Sequence, residues 1–222
     1  MKLIEDAVKR GAKSLSEYES KLLLAEYGIP TTAEAVVTTS DDAVAQASKI
    51  GFPVVLKGSG ETISHKTELN LIALDLKSED EVRQAFNELT GNKKAEVKEV
   101  LVQQMIKGDR ELMVGLTRDA QFGPCVMFGL GGIFNEILED VAFRVAPLSD
   151  YDAGDIMNDI KGKKILEAFR GKPEVDRNIL ADILKAVGQI GLDNEQVKEI
   201  DINPLKLIDG KPVAVDALVV LE

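Results

Sequence analysis

This 222-residue chain has one cysteine and one histidine, so it is poor in the two side chains whose chemistry is most readily tuned to neutral pH. The lone Cys125 can form no internal disulfide. Its setting, Pro124-Cys125-Val126-Met127-Phe128, reads as apolar filler rather than a thiol site. Positive charge is also short, with 27 Lys and Arg against 38 Asp and Glu and a net charge of −11. That balance argues against nucleic acid and anionic membrane as partners, since both need an excess of Lys and Arg. A nucleotide is still compatible, because a few local cations and a divalent metal hold phosphates against an acidic background. No apolar run approaches the roughly 20 residues that span a bilayer. Met1-Lys2-Leu3-Ile4-Glu5-Asp6 is acidic too early and apolar too briefly for a secretory signal, so a cytoplasmic location is expected. The phosphate-loop pattern G-x-x-x-x-G-K-[ST] and the dinucleotide fingerprint G-x-G-x-x-G are both missing. Any nucleotide site therefore belongs to another architecture. With 45% apolar and 29% charged residues, the composition is that of a folded globular chain.

Ser14-Leu15-Ser16-Glu17 predicts a capping box that opens a helix through Tyr27, with Gly28-Ile29-Pro30 as its stop. A strand is expected from Ala33 to Thr39, a helix from Asp41 to Ile50, and strands from Phe52 to Lys57 and Leu69 to Leu76. Ser78-Glu79-Asp80-Glu81 caps a further helix running to about Leu89. The texture then changes. Val97–Ile106, Arg110–Thr117 and Pro124–Leu130 read as antiparallel strands, followed by two or three helical segments between Tyr151 and Ile190. The end returns to β, from Val197 to Ile208 and from Lys211 to Leu221. The order implies an α+β fold with two lobes joined near Val100 to Lys107.

Asp209-Gly210 is a strong two-residue hairpin signal, because a type I′ turn needs positive φ at both positions. If Ile208 pairs with Lys211, Asn203 falls opposite Asp216, and alternation puts Asp201 on the same face as Asn203. Ile200, Ile202, Val213 and Val215 then point the other way. Three hard oxygen donors together suit Mg²⁺, although a polar solvent face with a bulge at Pro204 fits the same letters. Lys57 ends an apolar strand, as a phosphate clamp or as a snorkelling strand end. Gly129-Leu130-Gly131-Gly132 either lets backbone N–H groups approach an anion or makes a tight turn. Arg144, among apolar neighbours, either neutralises phosphate or pairs with Glu136. Glu111 and Asp140 are further charges between apolar runs. His65 lies in the polar stretch Gly58 to Thr67 that follows the Phe52–Lys57 run, where a loop either carries the imidazole to a phosphate or leaves it solvated.

Together, several segments resemble the NDP-forming acyl-CoA synthetases, relatives of succinyl-CoA synthetase. Gly51-Phe52-Pro53-Val54-Val55-Leu56-Lys57 with Ser64-His65-Lys66-Thr67 is similar to the small ATP-grasp lobe of that family. Val102-Gln103-Gln104-Met105-Ile106 with Glu111-Leu112-Met113-Val114-Gly115 resembles its adenine hinge. The stretch from Gly129 through Phe143-Arg144-Val145-Ala146-Pro147-Leu148 is similar to its phosphate-facing loop, and Asp201-Ile202-Asn203-Pro204-Leu205 with Val215-Asp216 to its metal strands. The length is similar to that of free-standing β subunits of archaeal ADP-forming acetyl-CoA synthetases.

The resemblance implies an ATP-grasp fold with the nucleotide site between two α/β lobes. Residues 1–20 would be a lead-in, 21–100 the small lobe and 101–222 the large lobe. It implies an acid–thiol ligase subunit that binds ADP or ATP with Mg²⁺ and partners a separate CoA-binding α subunit in a hetero-oligomer. His65 and Arg144 would be catalytic, with His65 relaying phosphoryl from an α-subunit phosphohistidine. Lys57, Gln104, Met105, Glu111, Gly131 and Gly132 would face the nucleotide, and Asn203, Asp216 and Asp201 the metal. The chain departs from the family at Leu69-Asn70-Leu71, where members typically carry a Gly-Gly pair. The alternatives are another ATP-grasp ligase that forms an acyl phosphate, and a non-catalytic nucleotide-sensing module.

Overall fold

The computed structural model describes residues 2–59, 71–92, 96–108, 110–132 and 140–222. His65, Leu69, Asn70 and Glu136 lie outside the described residues. The chain forms two compact units, one of Thr32–Ile106 and one of Met1–Thr31 with Lys107–Glu222.

The smaller unit is a four-stranded antiparallel sheet with two helices on one face. Its elements are β1 (Glu34–Val37), α1 (Ser40–Ile50), β2 (Val54–Ser59), β3 (Ile72–Leu76), α2 (Glu79–Thr90) and β4 (Glu99–Gln104). The strand order is β1-β4-β2-β3. Thr39 and Ser78 cap the two helices by accepting the N–H groups of Asp42 and Glu81, as expected at Ser78. Val54, Leu56, Val100 and Val102 meet Ala43, Val44, Val82 and Phe86 in one core. Leu71 belongs to that core and is 0% exposed, and its carbonyl accepts the Gly58 N–H. Leu71, the last residue of the Leu69-Asn70-Leu71 stretch, is therefore a packing residue.

The larger unit opens with two helices, αN1 (Lys2–Lys9) and αN2 (Glu17–Glu26). Composition gave no reason to expect αN1. The capping box of αN2 uses Ser16 and Glu19, two residues later than the expected Ser14 start. Ser14 instead bridges Val220. Leu15, Leu23 and Leu24 are buried in the core of this unit, so residues 21–31 belong here and not to the small lobe in which the sequence placed them. Helix formation is local, but the choice of core is a tertiary decision.

The larger sheet contains β5 (Glu111–Asp119), β6 (Gly123–Leu130), β7 (Val141–Val145), β8 (Val197–Ile208), β9 (Lys211–Ala214) and β10 (Leu218–Leu221). Its order is β10-β8-β5-β6-β7, with β9 also pairing β8. Two helices, α3 (Asp150–Asp159) and α4 (Arg177–Asp193), pack against it through Ile156, Met157, Leu184 and Val187. None of the described helices is long and apolar enough to cross a membrane.

The expected single strand from Lys211 to Leu221 is two strands, broken at residues 215–217. Asp209 and Gly210 both have positive φ, at 48° and 82°, and Ile208 pairs with Lys211 as the hairpin rule requires. Pairing stops at Leu205 opposite Ala214 and resumes with Asp201 opposite Leu218. The same frame holds on both sides, so Asn203 and Asp216 lie opposite each other within the gap.

Against β5, Leu112 faces Leu205 while Val114 faces Ile202, so a bulge sits at Asn203-Pro204. Proline has no N–H to give the ladder, and the extra residue reverses which side chains turn inward. Ile200 and Ile202 are buried before the bulge, and Leu205 and Leu207 after it. Past the turn the buried residues are therefore Pro212 and Ala214, not Val213 and Val215.

Candidate functional site

The larger unit brings Glu111, Gly131, Gly132, Asn203, Asp201 and Asp216 to one region of its sheet. Glu111 begins β5, opposite Lys206, and its carboxylate meets the Lys206 ammonium at 3.1 Å. The Gly131 N–H donates to the Glu111 carbonyl at 2.9 Å. A side chain at Gly131 would strike the Leu112 carbonyl, and one at Gly132 would strike the Glu111 carboxylate. Gly132 also has φ of +61°. Its N–H donates to Oδ1 of Asn203 at 3.3 Å. Both glycine N–H groups are thus engaged within the protein. Glycine is needed here for space and backbone conformation, and the pair serves to seat Glu111 and aim the Asn203 amide.

Asp201 lies on β8 opposite Gly115, on the face turned away from Ile200 and Ile202. Its Oδ1 is buried without a hydrogen-bond partner. Burial, with the charges of Glu199 and Asp216 adding to it, pushes the Asp201 carboxyl up to about 6. A buried, unpartnered oxygen beside a second carboxylate is an arrangement that a cation relieves. Among the described residues no three His, Cys, Asp or Glu side chains group as a metal-only centre would need. Two carboxylates and an amide instead match Mg²⁺, which takes few protein oxygens and completes its shell with water and phosphate.

In the smaller unit, Lys57 is 6% exposed, on the face of β2 opposite the helices and paired in register with Leu101 and Ile72. Gln104 ends β4; its N–H donates to the Ala33 carbonyl, and the Met105 N–H donates to the Pro53 carbonyl at 3.3 Å. Arg144 is placed differently from the rest. It sits on β7 opposite Val126, five residues from Gly131 along β6 and so about 17 Å away at strand rise. Its guanidinium pairs with Asp155 at 2.6 Å and with Asp159, tying β7 to α3. These two carboxylates raise its already high pKa, the Asp159 hydrogen bond most. Asp140 accepts the N–H groups of Lys161 and Gly162 at 2.7 and 2.6 Å and so closes the turn after α3. Cys125 is half-buried, with burial pushing its thiol up and away from reactivity.

The ATP-grasp domain family matches residues 6–221, nearly the whole chain. The β subunit of ADP-forming acetate–CoA ligase I from Pyrococcus furiosus is 41% identical over 224 residues, covering 99% of this chain and 96% of that one. This chain belongs to the ATP-grasp family, among the β subunits of ADP-forming acetate–CoA ligases. Its fold is also that of a dinucleotide-forming acetyl-coenzyme A synthetase 1 from Candidatus Korarchaeum cryptofilum, solved with coenzyme A, Ca-AMPCP and HgCl⁺. The TM-score is 0.95 at 42% identity, over 100% of this chain and 99% of that chain. The same synthetase solved with coenzyme A and Mg-AMPPCP, its phosphohistidine segment pointing towards the nucleotide-binding site, matches with a TM-score of 0.89 at 42% identity, again over 100% and 99% of the two chains.

For an ATP-grasp chain, two features of this site were not legible in the sequence. Lys206 faces Glu111 only because β8 pairs with β5, a long-range register that no local pattern announces. Lys21, inside the helix expected to end at Tyr27, is 2% exposed and bonds Glu17 and the Val215 carbonyl, both at 3.1 Å. Its signal was the Glu17–Lys21 spacing of four, which marks a helical ion pair but says nothing of burial.

Proposed function

We propose that this chain is the nucleotide-binding β subunit of an ADP-forming acyl-CoA synthetase, working in the cytoplasm with a separate CoA-binding α subunit. The reaction is acyl-CoA + ADP + phosphate ⇌ carboxylic acid + ATP + CoA. The observation that carries this reading is the orphaned, buried carboxylate oxygen of Asp201, beside Asp216 and the Asn203 amide that Gly132 orients. Mg²⁺, when bound, neutralises phosphate charge, and Asp201, Asn203 and Asp216 are the residues that hold it. Lys57 adds a cation for the nucleotide phosphates, and Gln104 with Met105 supplies the edge that meets adenine. Glu111, fixed by Lys206 and given room by Gly131 and Gly132, shapes the phosphate end.

His65 is the phosphoryl carrier in this reading. A neutral imidazole nitrogen attacks phosphorus on the α-subunit phosphohistidine; a new N–P bond forms, and the old one breaks with its electron pair returning to the donor ring. An oxygen of the ADP β-phosphate then takes the phosphorus, and the His65 N–P pair returns to its own ring. Such transfer needs positioning and charge neutralisation more than covalent assistance. Arg144 has no part in this scheme, because Asp155 and Asp159 hold it as a brace.

The test is incubation with Mg²⁺ and ATP labelled in its γ-phosphate. Acid-labile, base-stable label on His65, absent from His65→Ala, is the expected result. Nucleotide binding without labelling would indicate a sensing module. Formation of an acyl phosphate with no label on His65 would indicate another ATP-grasp ligase.

A further inference from the structure

The break at residues 215–217 carries Asp216 outside the ladder, so its position depends on whatever satisfies the backbone around it. The Ala214 N–H donates to the Pro30 carbonyl at 2.8 Å, and the Val215 N–H to the Pro204 carbonyl at 3.1 Å. The Ala217 N–H donates to the Asp216 carboxylate itself at 2.9 Å. The Val215 carbonyl, which forms the peptide bond to Asp216, accepts from the Lys21 ammonium at 3.1 Å. That ammonium is compensated by Glu17, whose carboxylate lies 3.1 Å away, and both side chains are almost wholly buried.

We infer that Lys21 is a positioning residue for the metal site, holding the Val215–Asp216 peptide so that the Asp216 carboxylate faces Asp201. The inference rests on the metal reading above. A buried lysine is a costly way to satisfy one carbonyl, since its charge must be stripped of water and matched. It is an effective way to fix one, because a charge-assisted bond is shorter and stronger than a neutral one. The anchor behind it is rigid. The αN2 capping box sets the start of the helix, Leu23 and Leu24 seat it in the core, and Glu17 lies one turn before Lys21, in the favourable orientation. Rotation of the Val215–Asp216 peptide plane would swing the carboxylate, and groups that orient a ligand typically affect metal affinity by about tenfold or more.

The experiment measures Mn²⁺ binding to the full chain with saturating ADP, from the paramagnetic resonance signal of free Mn²⁺. Lys21→Met is expected to weaken Mn²⁺ binding by about tenfold. The double variant Glu17→Gln/Lys21→Met, which removes both members of the buried ion pair, is expected to do the same if the single variant does not fold. Val187→Ala, in the core of the same unit, is the stability control and is expected to keep wild-type Mn²⁺ affinity despite its lower Tm. Asp216→Ala reports on the underlying reading. If it binds Mn²⁺ normally, the metal assignment falls and the Lys21 inference with it. If Asp216→Ala loses Mn²⁺ while a folded variant lacking Lys21 binds it normally, or if Val187→Ala weakens binding equally, Lys21 supports only the fold and the inference is overturned.

Discussion

Replacing Asp201 with asparagine is expected to stabilise the metal-free protein and weaken its magnesium–nucleotide complex. The folded environment pushes this carboxyl up to about 6 from 3.8, with burial as the main cause. At about 1.4 kcal/mol per pH unit, two units set a ceiling near 3 kcal/mol. Solvent still reaches the half-buried group and screens the penalty to about 1–2 kcal/mol. The folded chain holds this proton more tightly than the unfolded chain. The stability contribution of Asp201 is therefore full below about pH 4, falls as pH rises, and is lost above about pH 6. An asparagine in its place does not titrate. The variant should gain about 1–2 kcal/mol over wild type at pH 8, or roughly 2–8 °C in the Tm of a chain this size. The gain should shrink to near zero by about pH 4. Adding Mg²⁺ and ADP reverses the order at pH 8, because a ligand at a hundred times its Kd stabilises by about 2.7 kcal/mol and the variant binds it less well. Paired thermal scans at both pH values, with and without Mg²⁺·ADP, give all four quantities. A variant no more stable than wild type at pH 8, or a gain independent of pH, would refute the claim that Asp201 is an uncompensated buried carboxylate.

Gly132→Ala places a side chain against the Glu111 carboxylate at φ of +61°; a loss of about 1–2 kcal/mol from backbone conformation alone is expected, with weaker ADP binding by calorimetry. Leu71→Ala removes a fully buried side chain from the smaller unit and is expected to cost about 2–5 kcal/mol in denaturant unfolding. Arg144→Met breaks the brace between β7 and α3; a loss of about 1 kcal/mol in stability is expected, with ADP affinity unchanged by calorimetry. A fall in ADP affinity there would return Arg144 to the nucleotide site.

Much of this was legible because the signals were local. Ser78 capped its helix where the pattern said, and Asp209-Gly210 set a hairpin frame that still holds beyond the break, at Asp201 opposite Leu218. That frame is why Asn203 and Asp216 face each other. What escaped the sequence was tertiary. The bulge at Asn203-Pro204 exchanged which β9 residues are buried, and the choice of core moved αN2 into the larger unit. Arg144 looked available because its neighbours in the chain are apolar, while its carboxylate partners lie on a helix that begins several residues later. For the Gly131-Gly132 pair the letters left anion approach and a tight turn equally open; both N–H groups bond within the protein, to the Glu111 carbonyl and the Asn203 amide oxygen, which only the fold could show.

The central claim, phosphoryl relay through the single histidine, is tested most directly by one comparison. Wild type and His65→Ala are each combined with a CoA-binding α subunit, and ATP formation from acetyl-CoA, ADP and phosphate is followed. The account predicts that the variant makes no ATP while ADP still raises its Tm. Wild-type turnover by His65→Ala would contradict it.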